Sequence, residues 1–302
     1  SGTIEYYNKY SVDLLAAING SPTQGFGYTT LMTNNGKMVN RGVEITLSGE
    51  IIRQKDFSWN ASLLYAFNRN KVKHISVQPS LWDSRISMPT SYPMVGKPLY
   101  GIYAYKWAGL NENGDPQVYD AENNVTSGPA RDYHALVYCG TTVPIHNASL
   151  TNVLRYKGFE FSAMLILDAG HKLRSSNIPS INMSNGRITS TAKGIVDRWT
   201  QPGDVTDVPR LLFSNDTENF NTHRTELYRY SDLFVYDASN IRLSNISLAY
   251  RVPAHWCKKI SLSGARLQFN VENVATFAFD SKANYDLGGK VKPNYVWGLY
   301  LN

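Results

Sequence analysis

Long apolar runs are missing from this chain. It holds no stretch of some eighteen consecutive apolar residues, so no membrane-spanning helix can be built from it. Cysteine is nearly absent: Cys139 and Cys257 lie far apart and lack metal-ligand spacing, which suits two idle thiols better than a structural staple. Charged residues make up only 18% of the chain, and the net charge of +6 comes from lysines and arginines scattered along it. No basic stripe interleaved with aromatics occurs, which argues against a nucleic-acid partner, whereas mild positive charge suits an anionic lipid surface. Catalytic signatures are lacking too. His74, His134, His146, His171, His223 and His255 stand singly, without a His-Glu-x-x-His helix or a Gly-x-Ser-x-Gly elbow. Leu287-Gly288-Gly289-Lys290 lacks the spacing of a phosphate loop. The reading is therefore of a non-enzyme. Ser1–Tyr10 also lacks the charged and then apolar regions of a leader, so a chain that enters directly on a strand reads as part of something longer.

What the chain does have is tyrosine, 20 residues of it, with six tryptophans. Such a composition suits long two-faced strands and polar loops. From Val43 the side chains alternate, with Val43, Ile45 and Leu47 against Glu44, Thr46 and Ser48. After the turn Arg53-Gln54-Lys55-Asp56 the alternation resumes, with Phe57, Trp59, Ala61, Leu63, Tyr65 and Phe67 on one side and Ser58, Asn60, Ser62 and Asn68 on the other. That is a hairpin with one apolar and one polar face. Six same-side residues over about eleven positions are what a tilted strand needs to cross a bilayer. Aromatics at both ends and smaller residues between them resemble aromatic girdles around an apolar band. Phe57, Trp59, Leu63, Tyr65 and Phe67 are accordingly expected to face lipid.

Further strands are expected over Thr3–Leu14, Ile145–Tyr156 and Phe159–Leu167, the last two joined at Lys157-Gly158. A third hairpin is expected from Phe234–Tyr250 and Ile260–Val274, with a bulge near Ser244-Asn245 where the phase slips between Leu243 and Ile246. A last strand, Asn294–Asn302, puts Tyr295, Trp297, Leu299 and Leu301 on one face, of which Tyr295, Trp297 and Leu299 are expected to meet lipid. Leu99–Trp107 is aromatic enough for one short strand. Short turns at 51–56, 157–158 and 252–259 alternate with long loops at 15–36, 72–144, 168–232 and 275–293. That asymmetry is typical of an outer-membrane β-barrel and is not demanded by a sandwich.

Six ordered blocks then carry a resemblance. GKMVNRGVEITL with DFSWNASLLYAFNRNKV, VGKPLYGIYAYKWAGLNENGDPQVYD at 95–120, LTNVLRYKGFEFSAMLILDAGHKLR at 150–174, DRWTQPGD at 197–204 and ASNIRLSNISLAYRVP at 238–253 are similar to the C-terminal half of the SusC-like TonB-dependent outer-membrane transporters of Bacteroidetes. The resemblance implies an all-β chain, 1–302, that supplies about the last eight strands of a 22-stranded transmembrane antiparallel barrel. The plug domain, the TonB-contacting segment and the N-terminal strands would lie outside it, and a terminal aromatic would follow Asn302. It further implies active import of oligosaccharides or oligopeptides, driven by the TonB complex and capped by a SusD-like surface lipoprotein. The wall would sit in outer-membrane lipid, with the C-terminus periplasmic and the long loops extracellular. Eight strands cannot close a barrel set for about 22.

Candidate cargo contacts are the loop aromatics Trp82, Tyr92, Tyr100, Tyr103, Tyr105, Trp107, Trp199 and Tyr228, since aromatic faces stack on sugar rings and also pack peptide side chains. The competing reading is that they pack the loops against one another or against the lipoprotein lid. Lumen-facing Glu44, Glu160, Arg242, Arg266 and Glu272 are expected to form charge ladders in the wall or to brace a plug. No cofactor is expected apart from a weak calcium candidate at Asn111, Asn113 and Asp115, which lacks the closing glutamate of a calcium loop. An Asn-Gly turn fits that segment better. Two alternatives stand beside the transporter: a soluble β-rich glycan-binding module with its apolar faces buried between sheets, and an outer-membrane enzyme, for which no nucleophile and base are found.

Overall fold

Eight of the alternating stretches pair side by side into one antiparallel sheet. The computed structural model describes residues 1–19, 30–75, 84–87, 89–128, 132–184, 187–188, 192–213, 222–259, 261–287 and 292–301. In chain order its strands are β1 (Gly2–Asn19), β2 (Thr30–Arg53), β3 (Phe57–Ile75), β4 (Gly101–Tyr105), β5 (Trp107–Leu110), β6 (Pro116–Tyr119), β7 (Val125–Thr126), β8 (Leu136–Thr141), β9 (His146–Tyr156), β10 (Phe159–Ala169), β11 (Lys172–Arg174), β12 (Asn182–Ser184), β13 (Arg187–Ile188), β14 (Leu212–Phe213), β15 (Val235–Asp237), β16 (Asn240–Arg251), β17 (Ala265–Ala278) and β18 (Asn294–Leu301). The large sheet runs β1-β2-β3-β9-β10-β16-β17-β18, and the other strands form four small sheets within the long connections. β1 and β18 are its two edges.

Register shows why the sheet has two unlike faces. Directly opposed residues share a face, and Leu47, Leu63, Leu150, Leu165 and Leu243 form one row across five strands. Below it Phe57, Tyr156, Phe159 and Tyr250 form an aromatic row, and Trp59, Leu154, Phe161, Leu248, Phe269 and Trp297 form another. Above it Ile45, Tyr65, Ala148, Leu167, Ile241 and Phe277 complete the band. From Phe57 to Phe67 the strand advances ten residues, about 33 Å along its axis and about 24 Å across a bilayer at a 45° tilt. Two polar pairs on this face bond internally: Trp59 Nε1 donates to Asn152 Oδ1 at 3.1 Å, and Tyr65 Oη and His146 Nδ1 are 2.8 Å apart. Internal pairing is what a hydrocarbon environment demands.

The other face carries the charges and amides, as a wet face does. Glu160 accepts from Arg155 Nε at 2.8 Å and from Arg266 Nη2 at 3.0 Å. Asn147 donates to Asp168 at 2.7 Å, and Arg242 stands 3.9 Å from the same carboxylate. Gln268 and Glu272 bond Asn270 and Asn294 in turn. Three of the five charges expected in ladders therefore pair with opposite charge on this face. Gly42 sits under the ring of Tyr7, where a Cβ would collide with that ring and with the Phe67 carbonyl.

The phase slip lands where the sequence put it. Register jumps between Leu243 and Asn245 against β17, and between Met164 and Leu165 against β16, so that Ser244 bulges and Leu243 and Ile246 keep one face. Other boundaries moved. β1 and β2 stay paired out to Asn19↔Thr30, past an irregularity at Asp13 (φ 56°), so the first connection is much shorter than 15–36. The arm expected from Phe234 breaks at Ala238-Ser239, because Ser239 N donates to Asp237 Oδ1 and Gly170 N donates to Ser239 Oγ. β17 begins at Ala265 rather than Ile260, since Ala254–Lys258 forms a short helix in the turn. Leu99–Trp107 is two strands in different sheets rather than one.

Candidate functional site

The long connections converge at one end of the wall, and there the molecule has its water-excluded core. β4 pairs with β8, β6 with β5 and β7, β11 with β15, and β12 with β13 and β14. Tyr103, Tyr105, Val118, Leu136 and Leu227 are buried together; Ile181, Tyr228 and Phe234 form a second cluster, and Trp107 packs against both. Tyr228 meets Phe234 edge to face with ring centroids 4.9 Å apart.

Guanidinium groups tie these layers together. Arg224, on the helix Thr222–Arg229, is 2% exposed. Its Nε donates to Asp115 Oδ1 at 3.1 Å, Nη1 to Ile181 O and Asn182 Oδ1 at 3.2 and 3.1 Å, and Nη2 to Arg210 O at 2.7 Å. Arg210 holds the other Asp115 oxygen at 2.8 Å. Burial lowers the pKa of Arg224, which Asp115 opposes. Arg174 bonds the carbonyls of Tyr103, Arg229 and Ser231. Asp286 accepts from Ser175 and Ser176, joining the last connection to the third.

Asn111–Asp115 is the turn between β5 and β6. Gly114 has φ +74° and its N–H bonds Asn111 O at 2.9 Å, so an Asn-Gly turn is what forms. Asn111 Oδ1 accepts from the N–H groups of Asn113 and Asp115, and the Asp115 carboxylate faces two guanidinium groups. Two adjacent positive charges oppose a calcium ion on that carboxylate. Arg210 and Arg224 together clamp the Asp115 carboxylate.

No family model matches the chain. It is 24% identical to the TonB-dependent receptor P3 of Formosa agariphila over 98% of its own length and 30% of that protein's, and 23% identical to the TonB-dependent receptor SusC of Bacteroides thetaiotaomicron over 90% and 26%. Its fold matches the solved RagAB peptide transporter with a TM-score of 0.74, at 21% identity, over 99% of this chain and 33% of that one. The chain resembles a stretch of a SusC-like TonB-dependent transporter. It spans about a third of the length of these relatives.

In this SusC-like segment the expected loop aromatics divide by burial. Tyr103, Tyr105 and Tyr228 are at most 2% exposed and lie within the loop core, so they have no free face for cargo. Burial pushes the Tyr228 hydroxyl far above its ordinary pKa. Trp107 is half-buried, its indole N–H given to Asp207 at 2.9 Å. Trp199 is half-buried against Gly114, where a Cβ would strike its ring. Tyr92 is half-buried and Tyr100 is exposed; Trp82 lies outside the described residues. The fold does bring the loop aromatics together, but mostly as a core.

The expected lipid-facing residues share one face. Phe57, Trp59, Leu63, Tyr65 and Phe67 are partly screened by neighbours, whereas Tyr295, Trp297 and Leu299, near the open edge, are bare; Trp297 is 75% exposed. Sequence reasoning passed over Arg224, Arg210 and Arg174, although each is an arginine within an otherwise polar connection and only the fold supplies its partners. It also took the basic residues as scattered. In space Arg41, Arg69, Lys71, Lys73 and Lys97 line one cavity of about 500 Å³ at the loop end of the wall.

Proposed function

We propose that the whole protein is an outer-membrane importer of the TonB-dependent, SusC-like kind. On this reading it takes up oligosaccharides or oligopeptides together with a SusD-like surface lipoprotein. This chain supplies eight strands of barrel wall and part of the loop roof, with long loops extracellular and the C-terminus periplasmic. Remaining strands pair with the open edges β1 and β18, and a plug braces against the wet face. TonB acts through a segment outside this chain.

One observation carries the reading: an apolar face continuous over eight strands, banded by aromatics and bare of any covering layer among the described residues. A soluble glycan-binding module would need a second sheet over that face, and all four small sheets belong to the long connections instead. The loop body supports a roof over the lumen, and capture of cargo falls to its exposed surface, including Tyr100, and to the lipoprotein.

The test is to extract the full-length protein from the outer membrane in detergent and identify by mass spectrometry what co-purifies. A SusD-like lipoprotein in roughly equal amount is the expected result. Recovery of the protein alone in the soluble fraction without detergent would overturn the proposal.

A further inference from the structure

We infer that the outer rim of the wall carries a binding site for the phosphorylated headgroup of an outer-leaflet lipid, formed by Arg41, Arg69, Lys71, Lys73 and Lys97. The inference rests on the barrel reading above and adds a ligand to it.

Register is the first support. Arg41 stands directly opposite Arg69, and Val39 opposite Lys71, two and four residues beyond the pair Val43↔Phe67. These positions continue the alternation of the apolar, lipid-facing side. Like charges directly opposed on adjacent strands are destabilising unless something neutralises them. Among the described residues nothing does so: none of the five cations forms an ion pair with a carboxylate. Arg41 Nε reaches only the neutral Asn8 Oδ1 at 3.1 Å, and Lys97 Nζ lies 4.8 Å from the centre of the Tyr138 ring. The contrast with the wet face is direct, because there Arg155, Arg266 and Arg242 all meet Glu160 or Asp168.

Shape is the second support. The wall opens here: Asn68 N still bonds Ile145 O, but four residues on Val72 pairs instead with the backbone of Gly96 and Lys97. The notch between these contacts is the cavity of about 500 Å³; among the described residues no Asp or Glu lines it, and it reaches Val39, which is buried. Large uncompensated positive potential in a cavity attracts an anion, and guanidinium groups suit phosphate oxygens.

Height decides which anion. Two and four residues beyond Phe67 correspond to about 7 and 14 Å along the strand, or about 5 and 10 Å above the aromatic girdle at a 45° tilt. The headgroup layer begins at that level, since it adds about 5–8 Å to each side of the hydrocarbon. An acidic cargo would come from the lumen, the side of Asn68 and Asn70, whereas Arg41, Arg69 and Lys71 lie on the lipid-facing side.

The test uses the full-length protein in detergent and native mass spectrometry, with lipid A carrying its phosphates and lipid A stripped of them as probes. The wild type should retain the phosphorylated lipid at least about tenfold better. The triple variant R69Q/K71Q/K97Q should lose that preference, while K55Q/K157Q, at the opposite end of the wall, should keep it. Heat-dependent mobility on gels checks that each variant still forms a barrel. Equal retention of both lipids by the wild type, an undiminished preference in the triple variant, or tighter binding of a polyglutamate peptide than of phosphorylated lipid A would each overturn the inference. A protein that is soluble without detergent would instead bring down the barrel reading itself.

Discussion

The wall and the loop body use the same aromatic residues in opposite ways. In the wall, Trp297, Tyr295, Phe277 and Phe159 point out from a sheet one layer thick and stay exposed; in the loop body, Tyr103, Tyr105 and Tyr228 are sealed inside. On the proposed reading lipid is the wall's second layer, whereas the loop body makes its own core. Loop aromatics in such a chain are therefore not evidence of a cargo site until burial is known.

The largest expected effect separates the two regions. Arg224→Ala removes a buried guanidinium with four partners and leaves Asp115 held by Arg210 alone, which should cost the loop body about 3–5 kcal/mol. Limited proteolysis of the full-length protein should then cut within 101–141 and 172–237, while the barrel keeps its heat-dependent gel mobility. Loss of barrel mobility as well would mean that the two regions are one cooperative unit.

The converse experiment acts on the wall. Leu63 lies in the central leucine row, so Leu63→Arg should destabilise the barrel by about 2–4 kcal/mol in urea titrations, as a charge at mid-bilayer does. Leu64→Arg, one residue on and facing the lumen, should cost far less. Equal costs would show that the two faces do not differ in solvent.

These two regions were not equally legible in the sequence. Strict alternation over Phe57–Phe67 and the phase slip at Leu243–Ile246 report the wall directly, because every second side chain meets the same solvent. The loop body gives no period. Its strands are two to six residues long, and its organisers are long-range: Arg224 meets Asp115 109 residues away, and Arg174 meets Tyr103 71 away. Asp115 illustrates the limit. Its neighbours Asn111, Asn113 and Gly114 suggested oxygen ligands for a cation, and only the fold delivers two arginines to it. Likewise Arg41 and Lys97 join Arg69 and Lys71 only through strand pairing and a returning loop.

A finer test asks which aromatics act on cargo. Tyr100→Ala removes an exposed ring at the start of the loop body and should weaken cargo capture by about fivefold, near 1 kcal/mol, without changing protease sensitivity. Tyr103→Ala, three residues on, should impair uptake only in proportion to loop unfolding. If Tyr103→Ala lowered uptake with the loops intact, a buried ring would have to reach cargo and the division drawn here would be wrong.

The smallest effect concerns acid and lies where loop body meets wall. Asp237, just before β16, is held down to about 2: burial raises its pKa, but hydrogen bonds from Ser239 and the Lys172 ammonium at 3.0 Å outweigh that. A carboxylate with a depressed folded pKa stabilises fully above its unfolded value near 4, and that stabilisation drains away as pH falls from about 4 toward 2. Both side chains are more than a third exposed, so solvent screens the pair and the loss is modest. Hydrogen exchange in the β11–β15 pair should accelerate relative to its intrinsic rate between pH 4.5 and pH 2.5 by roughly a few-fold. Asp237→Asn should flatten that dependence and leave the wall strands untouched. Acid sensitivity that persisted in the variant would show that Asp237 is not its source.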